Sequence, residues 1–295
     1  MTLPTGAISF SDLNTEMRLQ ATAPLTMDAD LLRRIASAGG TGVQTTSGTV
    51  ISLSQLQGHA YGVYQNGSGQ SVSNINLVTA FTATGNYAAG KTYGVATNAG
   101  TIGSSSISTY GLTANFSAGD ILAVQNTGYI VGHGGDGGYG GPSYSNGYPG
   151  QNGGPAFYAK GGASAFIQMQ NTGTIGGGGG GGGGGAYAQD TQNQRVPLQG
   201  GGGGGGAGYV AGAGAGGYGT GGQGTLTQGG YGGGGGGQAA QAGGPGGGLG
   251  QIGVYTGSNG YASGGTPGQG GGSIAGTNWF VGGVSGTILG TTSTT

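Results

Sequence analysis

Glycine fills long stretches of the second half of this chain. Of its 85 glycines, 68 lie between residues 131 and 290, and they include an unbroken run of ten at 176–185. Shorter runs occupy 200–206 and 232–237. Glycine has no side chain to bury and loses more backbone freedom on folding than any other residue, so these runs cannot form an ordinary core or a stable isolated helix. They are therefore either flexible linkers or extended threefold helices that pack against one another.

The residues that interrupt the runs favour ordered packing. Flexible and disordered segments are poor in aromatic side chains, whereas aromatic residues recur throughout this region. They are Tyr139, Tyr144, Tyr148, Phe157, Tyr158, Tyr187, Tyr209, Tyr218, Tyr231, Tyr255 and Tyr261. We therefore expect the glycine runs to be ordered, with the flexible linker as the alternative.

Hydrogen bonding limits how such helices can be arranged. Ordering one residue's backbone costs about 1 to 2 kcal/mol, whereas one hydrogen bond contributes only about 0.5 to 1.5 kcal/mol net. A polyproline-II type helix has no internal hydrogen bonds, so each stabilising bond must come from a neighbouring helix. We therefore expect a sandwich of polyglycine-II helices in which several helices surround each inner one.

Charge and composition exclude several classes of function. Only 4% of the residues are charged and the formal net charge is −1, so the sequence predicts no nucleic-acid partner. The absence of cysteine excludes disulfides and thiolate metal sites. Only seven residues are acidic, which leaves little material for a hydrolase with paired carboxylates. We expect a protein that is not an enzyme and that has no cofactor and no metal.

Two strings resemble phosphate-binding loops only in their letters. Residues 85–92 match GxxxxGK[ST], and residues 132–137 match GxGxxG. A phosphate-binding loop needs a helix that begins at the lysine, but the residues after Lys91 alternate like a strand. The two histidines, His59 and His133, have no cysteine partners and do not make a metal site by themselves.

Composition divides the chain into three regions. Residues 1–58 carry a cluster of charges and a predicted helix at 26–36 with acidic residues at its start and basic residues in its last turn, and we interpret them as an attachment module. A folded N-terminal arm without that role is the alternative. Residues 59–130 are predicted to form a small β domain, and residues 131–295 the glycine-rich domain. The fold class is thus mainly β and irregular, with a small N-terminal helical and β segment.

Alternating apolar residues predict the strands of the β domain. The two clearest patterns comprise Ile75, Leu77, Thr79 and Phe81, and then Leu112, Ala114 and Phe116.

A strand is repeated on both sides of the first glycine segment. Residues 121–130 (ILAVQNTGYI) and 166–175 (FIQMQNTGTI) match almost in register, and both continue into glycine. Fainter copies occur at 98–103 and 286–290. We predict that the copies lie side by side in one sheet and send their glycine segments in the same direction.

This geometry places loops at the far end of the glycine segments. The predicted far loops are 142–158 and 186–199, and Tyr231 is a plausible residue of a third. Tyrosine supplies rigid amphipathic contact area while small polar residues adapt to a partner, which is the composition of antibody loops. The candidate receptor-binding residues are Tyr144, Asn146, Tyr148, Asn152, Phe157, Tyr158, Tyr187, Gln189, Asp190, Gln192, Asn193, Arg195 and Tyr231. The alternative is that these aromatic residues only cover the glycine helices.

The pattern resembles the glycine-rich tail-fibre adhesins of T-even-type bacteriophages. The similarity rests on the strands of the type Asn-Thr-Gly-x-Ile, the glycine runs and the aromatic loops, roughly over residues 121–290, while the opening at 6–14 looks like the start of phage tail proteins. The resemblance implies a virion protein of the tail fibre or tail tip that is assembled in the host cytoplasm. It implies that residues 1–58 dock on a tail-fibre or tail-tip protein and that the far loops bind a bacterial surface receptor, either an outer-membrane protein or a polysaccharide. Whether the protein acts as a single copy or as a homo-oligomer stays open.

Two other functions are compatible with the sequence. A structural tail or virion decoration protein would bind no receptor. An ice-binding protein would use a flat face of glycine-rich helices and would need regular rows of small residues in place of large irregular loops.

Overall fold

A computed structural model gives the fold of most of the chain. It describes residues 53–142, 145–162, 166–187, 199–236, 240–258, 262–277, 279–281 and 285–293, together with residues 3, 5, 12–13, 34–36 and 38. Of the predicted helix at 26–36, residues 34–36 are helical and the remainder lies outside the described residues.

The described residues are mainly β, with little helix. A 3-10 helix spans Leu53–Leu56, and the α-helix α1 spans Leu77–Ala83. The strands are β1 (Ala60–Asn66), β2 (Ser71–Ser73), β3 (Ile75–Asn76), β4 (Thr92–Asn98), β5 (Thr101–Gly103), β6 (Leu112–Phe116), β7 (Ile121–Asn126), β8 (Tyr129–Val131), β9 (Phe157–Gly161), β10 (Phe166–Asn171), β11 (Thr174–Gly176), β12 (Ile274–Ala275), β13 (Trp279–Val281), β14 (Thr287–Leu289) and β15 (Thr292–Ser293).

The strands form three parallel sheets that the chain visits in turn. The sheet orders are β1-β4-β7-β10-β13, β2-β5-β8-β11-β14 and β3-β6-β9-β12-β15. Each coil of the chain therefore adds one strand to each sheet, which makes a parallel β-helix. The sheets combine strands from both sides of residue 131, so the boundary that we predict there marks a change of composition within continuous sheets.

The predicted pairing of the repeated strands is confirmed. Strand β7 pairs with β10 from Ile121 opposite Phe166 to Asn126 opposite Asn171, and β8 pairs with β11. The fainter copies also join this arrangement, since β5 pairs with β8 and β14 pairs with β11.

A ladder of asparagines explains one part of the repeat. The buried side chains of Asn66, Asn98, Asn126 and Asn171 lie at the same place in successive coils. Each Nδ2 donates to the next Oδ1 at 2.7 Å, from Asn66 through to Asn171. Because every step carries the same bond, the repeated asparagine holds the coils in register.

One predicted strand is wrong. The alternation from Ile75 to Phe81 becomes helical at Leu77, where α1 begins. The side chain of Asn76 accepts a hydrogen bond from the Thr79 N–H at 3.2 Å and caps the helix, while Leu77 and Phe81 are buried on one face. In an alternating pattern every second apolar residue is four positions from the first, and residues four apart also share one face of a helix. A short alternating pattern therefore fits a helix as well as a strand.

Apolar side chains from all three sheets fill the interior of the coil. Leu122, Ile130, Phe157 and Ile175 are completely or almost completely buried there. Phe81 of α1 packs on the same core, with its ring 5.9 Å from that of Phe116.

The buried carboxyl of Asp120, which lies just before β7, accepts hydrogen bonds from the chain that runs from α1 to the start of β4. Asp120 accepts hydrogen bonds from the N–H groups of Thr92 and Ser117 at 2.9 and 3.0 Å and from the Tyr87 hydroxyl at 3.0 Å. Burial nevertheless raises the pKa of Asp120 above its ordinary value of 3.8, against the lowering effect of these bonds.

This carboxyl predicts a pH dependence of stability. A carboxyl with a higher pKa in the folded than in the unfolded state binds protons more tightly when folded, so it favours folding in acid. That contribution is lost as the pH rises from below 3.8 through the raised pKa. We expect the free energy of unfolding of the wild type to fall with pH across this window relative to that of Asp120→Asn, measured by denaturant unfolding. Free energies of unfolding that change with pH in the same way in the wild type and in Asp120→Asn would contradict this prediction.

The glycine run at 176–185 is extended, and its successive N–H groups donate hydrogen bonds to different neighbouring segments in turn. Every third N–H, beginning at Gly178, donates to the segment at 145–154, with N···O distances of 2.8 to 3.0 Å. The N–H groups one residue later donate to 199–208 at 2.8 Å. Those one residue earlier donate to Leu289 and to carbonyl groups at 251–254. The directions of the N–H groups therefore repeat every three residues.

The carbonyl groups of the same run accept from three further segments. These lie at 132–141, 240–250 and 263–272, and the N···O distances are 2.7 to 3.0 Å. Every N–H and C=O from Gly177 to Gly185 is thus paired without a bond inside the run. The run is enclosed on all sides by backbone.

The glycine-rich segments alternate in direction between two ends. At the near end, 132–141 and 176–185 continue directly from β8 and β11. The order of bonded partners gives the direction of each segment. Segments that run to the far end are 132–141, 176–185, 210–217, 228–236 and 251–256, and those that return are 145–154, 199–208, 218–225, 240–250 and 263–272.

The predicted far loop at 142–158 is wrong over most of its length. The return segment already begins at 145, and Phe157 starts strand β9 at the near end. Glycine occupies every third position at Gly147, Gly150 and Gly153, and these are the positions that face the run at 176–185. The predicted return of residues 200–206 beside the run is confirmed.

Candidate functional site

Exposed tyrosines gather toward the far end of the glycine-rich segments. Tyr139 and Tyr218 are each 64% exposed, Tyr148 is 54% exposed and Tyr255 is 46% exposed. Backbone hydrogen bonds show how far along the segments these residues lie. The carbonyl of Tyr148 accepts from the N–H of Gly184, close to the far end of the run at 176–185, and the N–H of Tyr218 donates to the carbonyl of Gly200. We call Tyr139, Tyr148, Tyr218 and Tyr255 the distal tyrosines.

Two of the predicted residues are exposed on this part of the molecule. Tyr148 is one of the distal tyrosines. Tyr231 is 72% exposed and lies lower, where its carbonyl accepts from Gly222 and its ring lies on the same glycine.

Two predicted asparagines complete the backbone network. Oδ1 of Asn146 accepts from the Ser263 N–H, and Oδ1 of Asn152 accepts from the Gln269 N–H, both at 2.8 Å. Both asparagines are exposed. Their oxygen atoms supply an acceptor where no carbonyl of a neighbouring segment does.

Three predicted residues lie away from an exposed surface. Phe157 is completely buried in the core of the β-helix, and Tyr187 is 3% exposed and forms a bridge with Ala240. Tyr158 is half-buried in β9, with its ring centroid 5.1 Å from that of Tyr110. The remaining predicted residues lie outside the described residues: Tyr144, Gln189, Asp190, Gln192, Asn193 and Arg195.

A groove of about 360 Å³ lies between three segments, beside two of the distal tyrosines, Tyr139 and Tyr148. Its walls come from 132–141, 145–154 and 210–217. The lining residues are Asp136, Gly137, Gly138, Tyr139, Tyr148, Pro149, Gln151, Ala213, Gly214 and Ala215. The groove thus contains two tyrosines, one carboxylate, one side-chain amide and glycine backbone, together with the apolar side chains of Pro149, Ala213 and Ala215.

A sequence signal for part of this site exists but is not used in the predictions above. His133, Asp136 and Tyr139 are separated by pairs of glycines, so a threefold segment directs all three to the same side. That spacing would have added Asp136 and Tyr139 to the candidates. Tyr218 and Tyr255 show no comparable pattern.

The described residues contain no cluster of three or more His, Cys, Asp or Glu side chains that could hold a metal ion. After Lys91 the chain enters β4 at Thr92, so the phosphate-loop string lacks its helix. No helix in the described part of the chain has the length and apolar character needed to cross a membrane.

Comparisons with known proteins agree with the resemblance noted in the sequence. The chain matches the family model for the phage tail fibre adhesin Gp38 over residues 64–293. It is similar to the crystal structure of the gp37-gp38 adhesin tip complex of the bacteriophage S16 long tail fiber, with a TM-score of 0.49 and 20% identity over 91% of this chain and 100% of that chain. No curated protein matches the sequence. Because the family model covers more than half of the chain, the protein belongs to the phage tail fibre adhesin Gp38 family.

Proposed function

We propose that this tail-fibre adhesin binds a bacterial surface receptor, an outer-membrane protein or a polysaccharide, with the far end of its glycine-rich segments. The glycine-rich part forms a polyglycine-II sandwich, and residues 1–58 attach the protein to a tail-fibre protein. Binding needs no chemical step and no cofactor.

The observation that carries this proposal is a backbone scaffold that ends in exposed tyrosines. The central run at 176–185 has all of its N–H and C=O groups bonded to neighbouring segments from Gly177 onward, which leaves it little freedom to move. A rigid scaffold lowers the entropy that binding loops lose on contact. Large exposed aromatic side chains are the residues that most often dominate protein interfaces.

Adsorption of the purified protein to cells of the phage host tests this proposal. The double variant Tyr218→Ala/Tyr255→Ala removes two distal tyrosines outside the groove, and we expect it to bind cells at least about tenfold more weakly. Tyr129→Ala is the matched control, since Tyr129 is 38% exposed on the β-helix, and it should bind like the wild type.

Unchanged binding by the double variant would contradict the role of the far end. Failure of the wild type to bind host cells at all would favour a structural tail protein. Replacement of residues 186–199 by those of a related phage should change the host range, which infection assays on a strain panel would detect.

A further inference from the structure

The carboxylate in the groove carries a charge that the backbone network does not require. Oδ1 of Asp136 accepts a hydrogen bond from the Ala213 N–H at 2.8 Å. Asn146 and Asn152 make the same kind of bond at the same length in the adjacent segment. An asparagine would therefore serve the backbone equally well at 136, and the negative charge has no structural use.

No lysine or arginine of the described residues lines the groove. In the part of the chain after residue 131 that the structure describes, Asp136 is the one acidic residue and Lys160 the one lysine or arginine. Lys160 lies in β9, in another part of the fold, and does not line the groove. A ligand that enters the groove therefore meets this carboxylate without a lysine or arginine among the lining residues.

The rest of the groove favours a cation with an apolar stem. Tyr139 and Tyr148 both line the groove, and aromatic faces attract organic cations, with the strongest effect where water is excluded. Pro149, Ala213 and Ala215 extend the apolar lining. A lysine side chain matches this arrangement, because its four-carbon stem can lie along apolar surface while its ammonium pairs with a carboxylate. A sugar would place several hydroxyl groups against this apolar lining, whereas the ammonium of a lysine needs one anionic partner, which Asp136 supplies.

We propose that the groove between Asp136, Tyr139 and Tyr148 binds a lysine side chain of a protein on the bacterial surface. This inference rests on the proposed receptor-binding function and specifies part of it. The distal tyrosines outside the groove supply contact area, and the groove adds selectivity for a receptor loop that carries a lysine at the matching place. Asp136 pairs with the ammonium, and the two tyrosines flank it.

Titration with small probes tests the groove directly. The probe is N-acetyl-lysine methylamide, the neutral control is N-acetyl-norleucine methylamide, and the readout is the NMR shift of the Ala213 amide, which donates to Asp136. We expect a saturable shift with the lysine probe, at least about tenfold weaker binding by Asp136→Asn, and weaker binding at high salt. An equal response to the norleucine probe, or an unchanged affinity of Asp136→Asn, would overturn the proposal.

Binding to outer-membrane vesicles tests whether the cation is a lysine of a surface protein. Asp136→Asn should bind host outer-membrane vesicles at least about threefold more weakly than the wild type, and its melting temperature should be unchanged because the Ala213 bond is kept. Acetylation of protein lysines on the vesicles should weaken the wild type to the level of the variant and leave the variant unaffected. Binding to purified lipopolysaccharide that depends on Asp136 would overturn the assignment to a protein lysine.

The two proposals can fail separately. If Asp136→Asn binds vesicles like the wild type while Tyr218→Ala/Tyr255→Ala loses binding, the lysine site is refuted and the receptor-binding function stands. If neither variant loses binding, the receptor-binding function at the far end is refuted as well.

Discussion

Gly181→Ala is expected to destabilise the glycine-rich part by about 3 kcal/mol or more, although it adds only one methyl group. A Cβ at this position would overlap the carbonyl oxygen of Asp136. That oxygen belongs to the backbone of a neighbouring segment, which cannot move aside as a flexible side chain could. For a chain of this size we expect the melting temperature to fall by at least about 5 °C, measured by differential scanning calorimetry.

Gly234→Ala is the matched control for this prediction. Gly234 also lies in an extended glycine run, but no atom lies within 4 Å of the place where its Cβ would be. Alanine there reduces the freedom of the unfolded chain and should be neutral or stabilising by up to about 1 kcal/mol. Equal melting temperatures for Gly181→Ala and Gly234→Ala would show that the run at 176–185 is not enclosed by its neighbours.

The second large effect is expected from Asn98→Ala in the asparagine ladder. The Asn98 side chain accepts from Asn66 at 2.7 Å, donates to Asn126 at 2.7 Å and donates to the carbonyl of Tyr129 at 3.0 Å. Alanine leaves buried donors and acceptors in adjacent coils without these partners, and each such group costs about 1 to 3 kcal/mol. We expect the free energy of unfolding to fall by about 3 to 5 kcal/mol in denaturant unfolding.

An exposed asparagine in a neighbouring sheet gives the comparison. Asn115 lies in β6 with its side chain exposed, so Asn115→Ala should change the free energy of unfolding by no more than about 0.5 kcal/mol. A small effect of Asn98→Ala, similar to that of Asn115→Ala, would mean that the ladder does not hold the coils in register.

The strand repeat was the sequence feature that predicted structure best. The segments at 121–130 and 166–175 share the string Gln-Asn-Thr-Gly and the final Ile at the same spacing, and similar strands in a parallel sheet can pair residue for residue. The helix at Leu77–Ala83 was missed because a short alternating pattern fits both a strand and a helix. Asn76, which caps this helix, is a typical N-cap residue and is the one sign in the sequence that favours a helix over a strand here.

The exposure of the candidate binding residues was harder to predict than the fold. Tyrosine and asparagine at the interruptions indicated a surface, but the sequence did not separate Phe157, which is buried in the β-helix, from Tyr148, which is exposed. Both follow a glycine-rich stretch closely. Only the path of the chain shows that one lies at the near end and the other at the far end.

By itself, the sequence determined that the glycine runs need neighbours and that the repeated strands lie side by side. The first follows from a backbone that has no side chain to bury, and the second from the shared string Gln-Asn-Thr-Gly-x-Ile at equal spacing. Tertiary structure alone decided which segments surround 176–185 and which side chains meet in the groove. The physical reason is that one stretch of glycine presents the same surface as any other, so the runs themselves do not specify their neighbours. The contacts between distant segments depend instead on where the chain turns and on where a residue with a side chain interrupts the glycines.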